Sequence, residues 1–156
     1  MSRTRGDQIR MSPQEIDEFL HGHWSAVIGS NGPHGIPHLV TVSYGLMDGR
    51  IVFSSYAKAQ KIVNLRRDSR ITCLVEDLGE SYGSVQGVLV YGRARLIEEP
   101  DEIRPMMKAV LTRIAAAGRA ITTDTMAERV VEKRAAVLVE PDRVLSWDHR
   151  RLDGAY

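Results

Sequence analysis

FSSYAKAQKIVNLRRDSRITCLV, residues 53–75, is the stretch that decides how this chain is built. Ile51, Val52 and Phe53 form an apolar strand that runs into Ser54 and Ser55. A short cationic helix follows, carrying Lys58, Lys61, Arg66 and Arg67, and a second apolar strand covers 71–75. Two serines, backbone N–H groups at a helix start and lysines in its first turns are donors that a phosphate group accepts. The pattern points to an anionic ligand.

Working outward, hairpin signals dominate. Met47-Asp48-Gly49-Arg50 contains Asp-Gly, so the strand at 51–55 is expected to pair back antiparallel on one at 37–46. Residues 24–30 read as an earlier strand, reached through the turn-rich loop Asn31-Gly32-Pro33-His34-Gly35. Beyond the cationic helix come strands at 71–77 and 85–98. Gly87 and Gly92 lie inside the second of these and predict bulges or close backbone approach.

Helices are fewer. Ser12-Pro13-Gln14-Glu15 is a capping box with proline at the first helical position, opening a helix to about residue 20. Ile103, Met107, Val110, Leu111 and Ile114 form one apolar stripe and predict a helix over 101–117. A further helix is expected at 123–134, capped by Thr122 or Thr123. Strands at 136–139 and 143–147 follow, separated by Pro141. Residues 1–11 read as a loose polar tail, and 12–156 as one domain with a helical insertion at 101–134. About seven short strands with tight turns and a few helices predict a small, mainly β barrel.

The bulk composition excludes several classes. Net charge is +1 and aromatic residues make up 6%, which disfavours a nucleic-acid partner. No apolar run approaches the roughly 18 residues of a membrane span. No hydrophobic signal segment opens the chain, so a cytoplasmic location is expected. Cys73 is the one cysteine and sits in an apolar strand, where it reads as a small buried hydrophobe. His21 and His23 form an HxH without a third clustered ligand, so no metal site is expected. No GxSxG, HExxH, P-loop or CxxC motif is present.

The order of elements resembles the flavin-binding split barrel of the pyridoxamine 5′-phosphate oxidase-like superfamily, and within it the flavin/deazaflavin oxidoreductases. Five segments carry the resemblance: Ala26-Val27-Ile28-Gly29, Gly35 to Val42, Gln60 to Arg70, Val90 to Leu96, and Arg143 to Asp148. It covers about residues 12–99 and 134–150, and the helices between them match least. The resemblance implies a homodimer with cofactor at the interface, bound to coenzyme F420 (a deazaflavin) or to FMN. The Gln60-Lys61-Ile62-Val63-Asn64 form and the Arg66-Arg67 pair look like the F420-using branch, whose glutamyl tail is anionic.

Lys61 is the lysine that the resemblance places on the cofactor phosphate or tail. Lys58, three residues earlier, would share its face on a helix. Ser54 and Ser55 would donate to the phosphate, although Ser55 is equally placed to cap the helix. Val40, Thr41 and Val42 lie on the strand that, by resemblance, runs along the flavin ring and offers it backbone groups. Pro37 and His38 begin that strand. His38 is either a pocket residue or an exposed strand-end histidine. Trp147 reads as a packing residue in the core or the dimer interface. No residue stands out as a catalytic proton donor. The expected activity is hydride transfer between the cofactor and a small organic substrate. The alternatives are an FMN-dependent oxidase or reductase of the same fold, or a non-catalytic carrier of a flavin or haem-type ligand.

Overall fold

The computed structural model describes residues 4–121, 125 and 128–152. In chain order it contains α1 (Arg5–Ile9), α2 (Pro13–Gly22), β1 (Ser25–Asn31), β2 (Pro37–Ser43), β3 (Gly45–Met47) and β4 (Arg50–Tyr56). These are followed by α3 (Gln60–Arg67), β5 (Arg70–Asp77), β6 (Gln86–Ile97), α4 (Pro100–Ala116), α5 (Glu128–Val131) and β7 (Arg134–Asp148). The strands form one seven-stranded sheet in the order β2-β1-β5-β6-β7-β4-β3. All its pairings are antiparallel.

That order dictates the shape. β2 and β3 are the two edges of the sheet, yet only Tyr44 separates them in the chain. One residue spans at most about 3.6 Å, so the edges can meet only if the sheet curls on itself. The result is a mainly β half-barrel with helices, the expected split barrel, with a seam where β2 faces β4. Tyr44 is fully buried at the turning point, and its hydroxyl donates to the Leu20 carbonyl at 2.5 Å. Burial pushes its phenol up to about 12, against the pull of the nearby Arg113 guanidinium.

Strand alternation sorts side chains into two cores. Ile51, Phe53, Ala135, Val137 and Val139 point into the barrel, with Ile28, Cys73 and Val88. Val52, Ala136 and Leu138, the alternate residues, point outward and pack under Ile103, Met106, Met107 and Val110 of α4. β4 and β7 are therefore buried on both faces, which explains their continuous apolar runs. α4 comes close because Gly45 lacks a side chain. A Cβ there would lie 2.6 Å from the Ala109 carbonyl carbon and 2.7 Å from the Val110 nitrogen.

Several expected boundaries shift. The N-terminal segment is not loose throughout: Thr4 and Asp7 form a capping box for α1, and Met11 is only 4% exposed in the barrel core. Its backbone N–H donates to Ser146 Oγ at 3.0 Å. The expected strand at 37–46 breaks at Tyr44, for the reason above. The two expected final strands are one, β7, which continues through Pro141. The pairing of β6 with β7 shifts register between Tyr91 and Gly92, opposite that proline. A Cβ on Gly92 would lie 2.3 Å from the Glu140 carbonyl oxygen, so the shift requires glycine. The Asp48-Gly49 hairpin is as expected, with φ of 51° and 73°. Of the expected helix at 123–134 and its cap, residues 122–124 and 126–127 lie outside the described residues, and α5 is the part seen. Burial pushes the Cys73 thiol up to about 12, as expected for an inert core cysteine. Among the described residues no helix is long and apolar enough to cross a membrane, and no cluster could hold a metal ion.

Candidate functional site

β3 covers β4 only from Arg50 to Val52. Beyond that point Phe53 to Tyr56 pair on one side alone, with β7. β2 likewise pairs only with β1. Two strand edges with free backbone groups therefore face one another across the seam. A cleft of about 350 Å³ opens there, lined by Thr41, Val42 and Ser43 from β2 and Ser54, Ser55 and Tyr56 from β4. Lys61 of α3 and Arg134 of β7 also line it. Met107, Val110, Leu111 and Ile114 of α4 complete the lining, with Thr125.

The charge arrangement distinguishes this cleft. Lys61 Nζ donates to Ser55 Oγ at 3.0 Å, and Arg134 Nη1 donates to Ser54 Oγ at 3.3 Å. The Arg134 guanidinium also sits 5.0 Å from the centre of the Tyr56 ring. Its Nε is buried and has no hydrogen-bond partner. Among the described residues neither cation pairs with a carboxylate. Burial, with the Arg134 charge as a second cause, holds the Lys61 ammonium below its ordinary value. Each serine hydroxyl accepts from a cation and keeps its own O–H to donate. Two cations and two hydroxyls converging without an acid are a cradle for an anion such as phosphate.

α3 aims Lys61 through Asn64, one turn later. The Asn64 side chain is fully buried, receives a hydrogen bond from Gln60 at 2.7 Å and donates to Ser30 Oγ of β1 at 3.1 Å. This ties the helix to the barrel wall beneath the cleft. The other cations of the segment are engaged elsewhere. Arg66 is held by Glu98 and the Ala57 carbonyl, and Arg67 by the Asn31 carbonyl. Neither lines the cleft.

Of the residues singled out from sequence, the structure brings together Thr41, Val42, Ser54, Ser55 and Lys61. Lys58 is not on a helix. It lies exposed in the turn before α3, whose N-cap is Ala59, so the spacing from Lys61 does not put the two on one helical face. Ser55 does not cap α3, since the cap makes no side-chain hydrogen bond. Val40 and His38 point to the opposite face of β2 from Thr41 and do not line the cleft. His38 is half-buried with its Nδ1 unpaired. Pro37 lines a different opening of about 520 Å³ on the outer sheet face, beside Leu39, Arg70, Tyr91 and Arg93. Trp147 packs over Gly87, where a Cβ would meet its ring at 2.2 Å.

Arg134 is the site residue that sequence reasoning missed. It falls at the end of the expected helix 123–134, where a basic residue is an ordinary partner for the helix dipole. In the structure it is the first residue of β7 and pairs in register with Tyr56. The signal available in sequence was its position just before the fully apolar run Ala135 to Val139.

Residues 12–148 match the pyridoxamine 5′-phosphate oxidase family. The chain belongs to this family. Among solved structures it is similar to a conserved hypothetical protein from Mycobacterium tuberculosis, at 34% identity and a TM-score of 0.82, over 98% of this chain and 93% of that one. An FAD-binding protein from Mesorhizobium loti is 16% identical with a TM-score of 0.64, covering 87% of this chain and 94% of that one. A structure described as an F420 reductase is 14% identical with a TM-score of 0.63, covering 85% and 98%. The last two likenesses show the fold alone. Among curated protein sequences, none matches. As a pyridoxamine 5′-phosphate oxidase family chain, it carries the split-barrel seam with Lys61, Arg134, Ser54 and Ser55 in its lining.

Proposed function

We propose that this protein is an oxidoreductase that binds coenzyme F420, or FMN in its place, in the seam cleft and transfers a hydride between it and a small organic substrate. The observation that carries the reading is the pair Lys61 and Arg134, held on serine hydroxyls with no carboxylate among the described residues to neutralise them. A phosphate fits that donor set, and both cofactors bear one. When bound, the ring supplies the redox chemistry. The chain's own part is to hold and shield it. Lys61, Arg134, Ser54 and Ser55 grip the phosphate, and the free edge of β2 from Thr41 to Ser43 offers N–H and C=O groups to the ring. α4 excludes water from one side.

F420 is placed first on the Gln60-Lys61-Ile62-Val63-Asn64 pattern. The Arg66-Arg67 pair adds nothing to that preference, because both side chains are committed within the fold. We further propose a homodimer. Val27, Leu74, Leu89 and Leu145 form a half-exposed apolar row across the outer sheet face, in register with Thr41. Leu39 and Tyr91 lie beside it at 68% and 41% exposure. Thr41 also lines the cleft, so a second copy seated on this row would reach the bound ring.

The test is a titration of each cofactor, followed by its own fluorescence anisotropy, then reoxidation of the reduced, bound cofactor with a panel of organic acceptors. Saturable binding of one cofactor and acceptor-dependent reoxidation are expected. Binding without any acceptor-dependent reoxidation would make the protein a carrier, and no binding of either would end the reading. A monomer by sedimentation at micromolar concentration would remove the dimer.

A further inference from the structure

α4 presents Met107, Val110, Leu111 and Ile114 to the seam cleft. The spacing is i, i+3, i+4 and i+7, one continuous face of the helix. Met107 and Val110 are core residues, 2% and 7% exposed, whose packing on Val52 and Leu138 fixes the helix. Leu111 differs. It is half-exposed and belongs to neither hydrophobic core, so its side chain serves the cleft rather than the fold. Gly45 and Arg113 hold this face at its distance from the seam. The Gly45 backbone abuts Ala109 and Val110, and Arg113 donates to the carbonyls of Leu20, His21 and His23.

The cleft thus combines two kinds of lining. One contribution is two cations and two hydroxyls. The other contribution is the aliphatic face of α4 beside Thr125, and among the described residues no carboxylate lines the cleft. With an anion on Lys61 and Arg134, the described lining leaves no counter-charge for a second ion of either sign. A charge buried there would lose its hydration without a partner.

We propose that the α4 face of Met107, Val110, Leu111 and Ile114 is the substrate wall of this cleft, and that it selects an uncharged, apolar organic molecule. This rests on the proposal that the cation pair holds the cofactor phosphate. It gives α4 a role in selectivity rather than in cofactor grip.

The test uses 6-propionyl-2-dimethylaminonaphthalene, a neutral fluorophore whose emission shifts to the blue in apolar surroundings, titrated into the full chain with and without F420 or FMN. An anionic naphthalene fluorophore, 8-anilinonaphthalene-1-sulfonate, supplies the charged comparison. The cofactor-loaded wild-type protein should bind the neutral probe with a blue shift and bind the sulfonate more weakly. Leu111→Glu and Leu111→Lys should each weaken the neutral probe by about tenfold or more, whereas Leu111→Met should stay within about twofold. Cofactor affinity should fall less than probe affinity in all three variants, because Leu111 supplies none of the phosphate donors. Thermal melts of the variants confirm that half-exposed Leu111 is replaced without loss of fold.

Wild-type protein that fails to bind the neutral probe, or prefers the sulfonate once cofactor is loaded, overturns the proposal. So does probe binding that survives both charged substitutions, or that falls for only one sign of charge. Equal losses of probe and cofactor would assign the wall to the cofactor and also overturn it. If neither F420 nor FMN binds while the neutral probe still depends on Leu111, the apolar selectivity stands and only the cofactor reading fails.

Discussion

Two of the openings in this fold make an instructive pair. The opening on the outer sheet face is the larger, about 520 Å³ against about 350 Å³ in the seam. It too carries basic residues, Arg70 and Arg93, at directly opposed positions on β5 and β6. Yet Arg70 is already answered: Asp68 accepts from its Nε at 3.0 Å and its Nη2 at 2.6 Å. That fork, with a further bond from Asn31, holds the Asp68 carboxyl well below the usual carboxylate range. In the seam the cations rest on serine hydroxyls, and one guanidinium nitrogen is buried unpaired. Asp142 lines the outer opening as well. On the proposed reading, the acids beside the outer opening, rather than its volume, distinguish it from the seam.

The largest effect is expected where the seam cleft meets the fold. Gly45→Val would drive a side chain into the α4 backbone and should destabilise the protein by about 3 kcal/mol. Urea unfolding reads this directly. The same substitution should disturb ligand binding in the seam and leave the outer opening, which α4 does not line, unaltered. A neutral result would mean that α4 is not held at its observed distance.

The contrast itself is sharpened by charge removal. Lys61→Ala and Arg134→Ala should each weaken binding of the phosphate-bearing cofactor by about 1.5–3 kcal/mol, roughly ten- to a hundredfold or more. Arg70→Ala, at the larger opening, should change it by less than about twofold. Equal losses at all three positions would dissolve the distinction between the clefts. Next in size is Asn64→Ala, which removes the tie between α3 and β1. A loss of about 1–2 kcal/mol of stability is expected, with weaker cofactor binding because Lys61 loses its aim. Unchanged stability would remove Asn64 from the positioning role.

The smallest effect reverses sign between function and stability. Folding depresses the Lys61 pKa, so the unfolded chain binds more protons as pH nears the ordinary value of 10.5. Stability of the ligand-free protein should therefore rise with pH through that window, from a deficit fully present at neutral pH. In phosphate-free buffer Lys61→Met should melt above wild type at pH 7, and the gap should narrow as pH approaches 10. A gap that widens would contradict the burial of this charge.

Much of this was legible in the sequence. Asp48-Gly49 announced its hairpin, and Gly92 its close approach, because each feature is set by local backbone rules. Lys61, Ser54 and Ser55 were readable because the strand–serine–helix order places them at one strand end. What sequence spacing misjudged was decided by tertiary packing. Lys58 sits three residues from Lys61, but the helix begins only at Gln60, so the helical period does not apply. Pro37 and Thr41 share a strand face, yet β2 passes from the outer opening to the seam between them. Arg134 was hidden because β7 begins where a helix was expected, and its partners come from β4, some 80 residues away. The single-residue link at Tyr44, which forces the sheet to curl, shows only once the strand order is known.

The central claim is that Lys61 and Arg134 together exist to hold a phosphate. The most direct measurement compares F420 and FMN, each against its phosphate-free alcohol, in wild type and in the Lys61→Ala/Arg134→Ala double variant. Wild type should prefer the phosphorylated form of the cofactor it binds by a hundredfold or so, and the double variant should bind both forms of that cofactor about equally. A preference that survives loss of both cations would contradict the account.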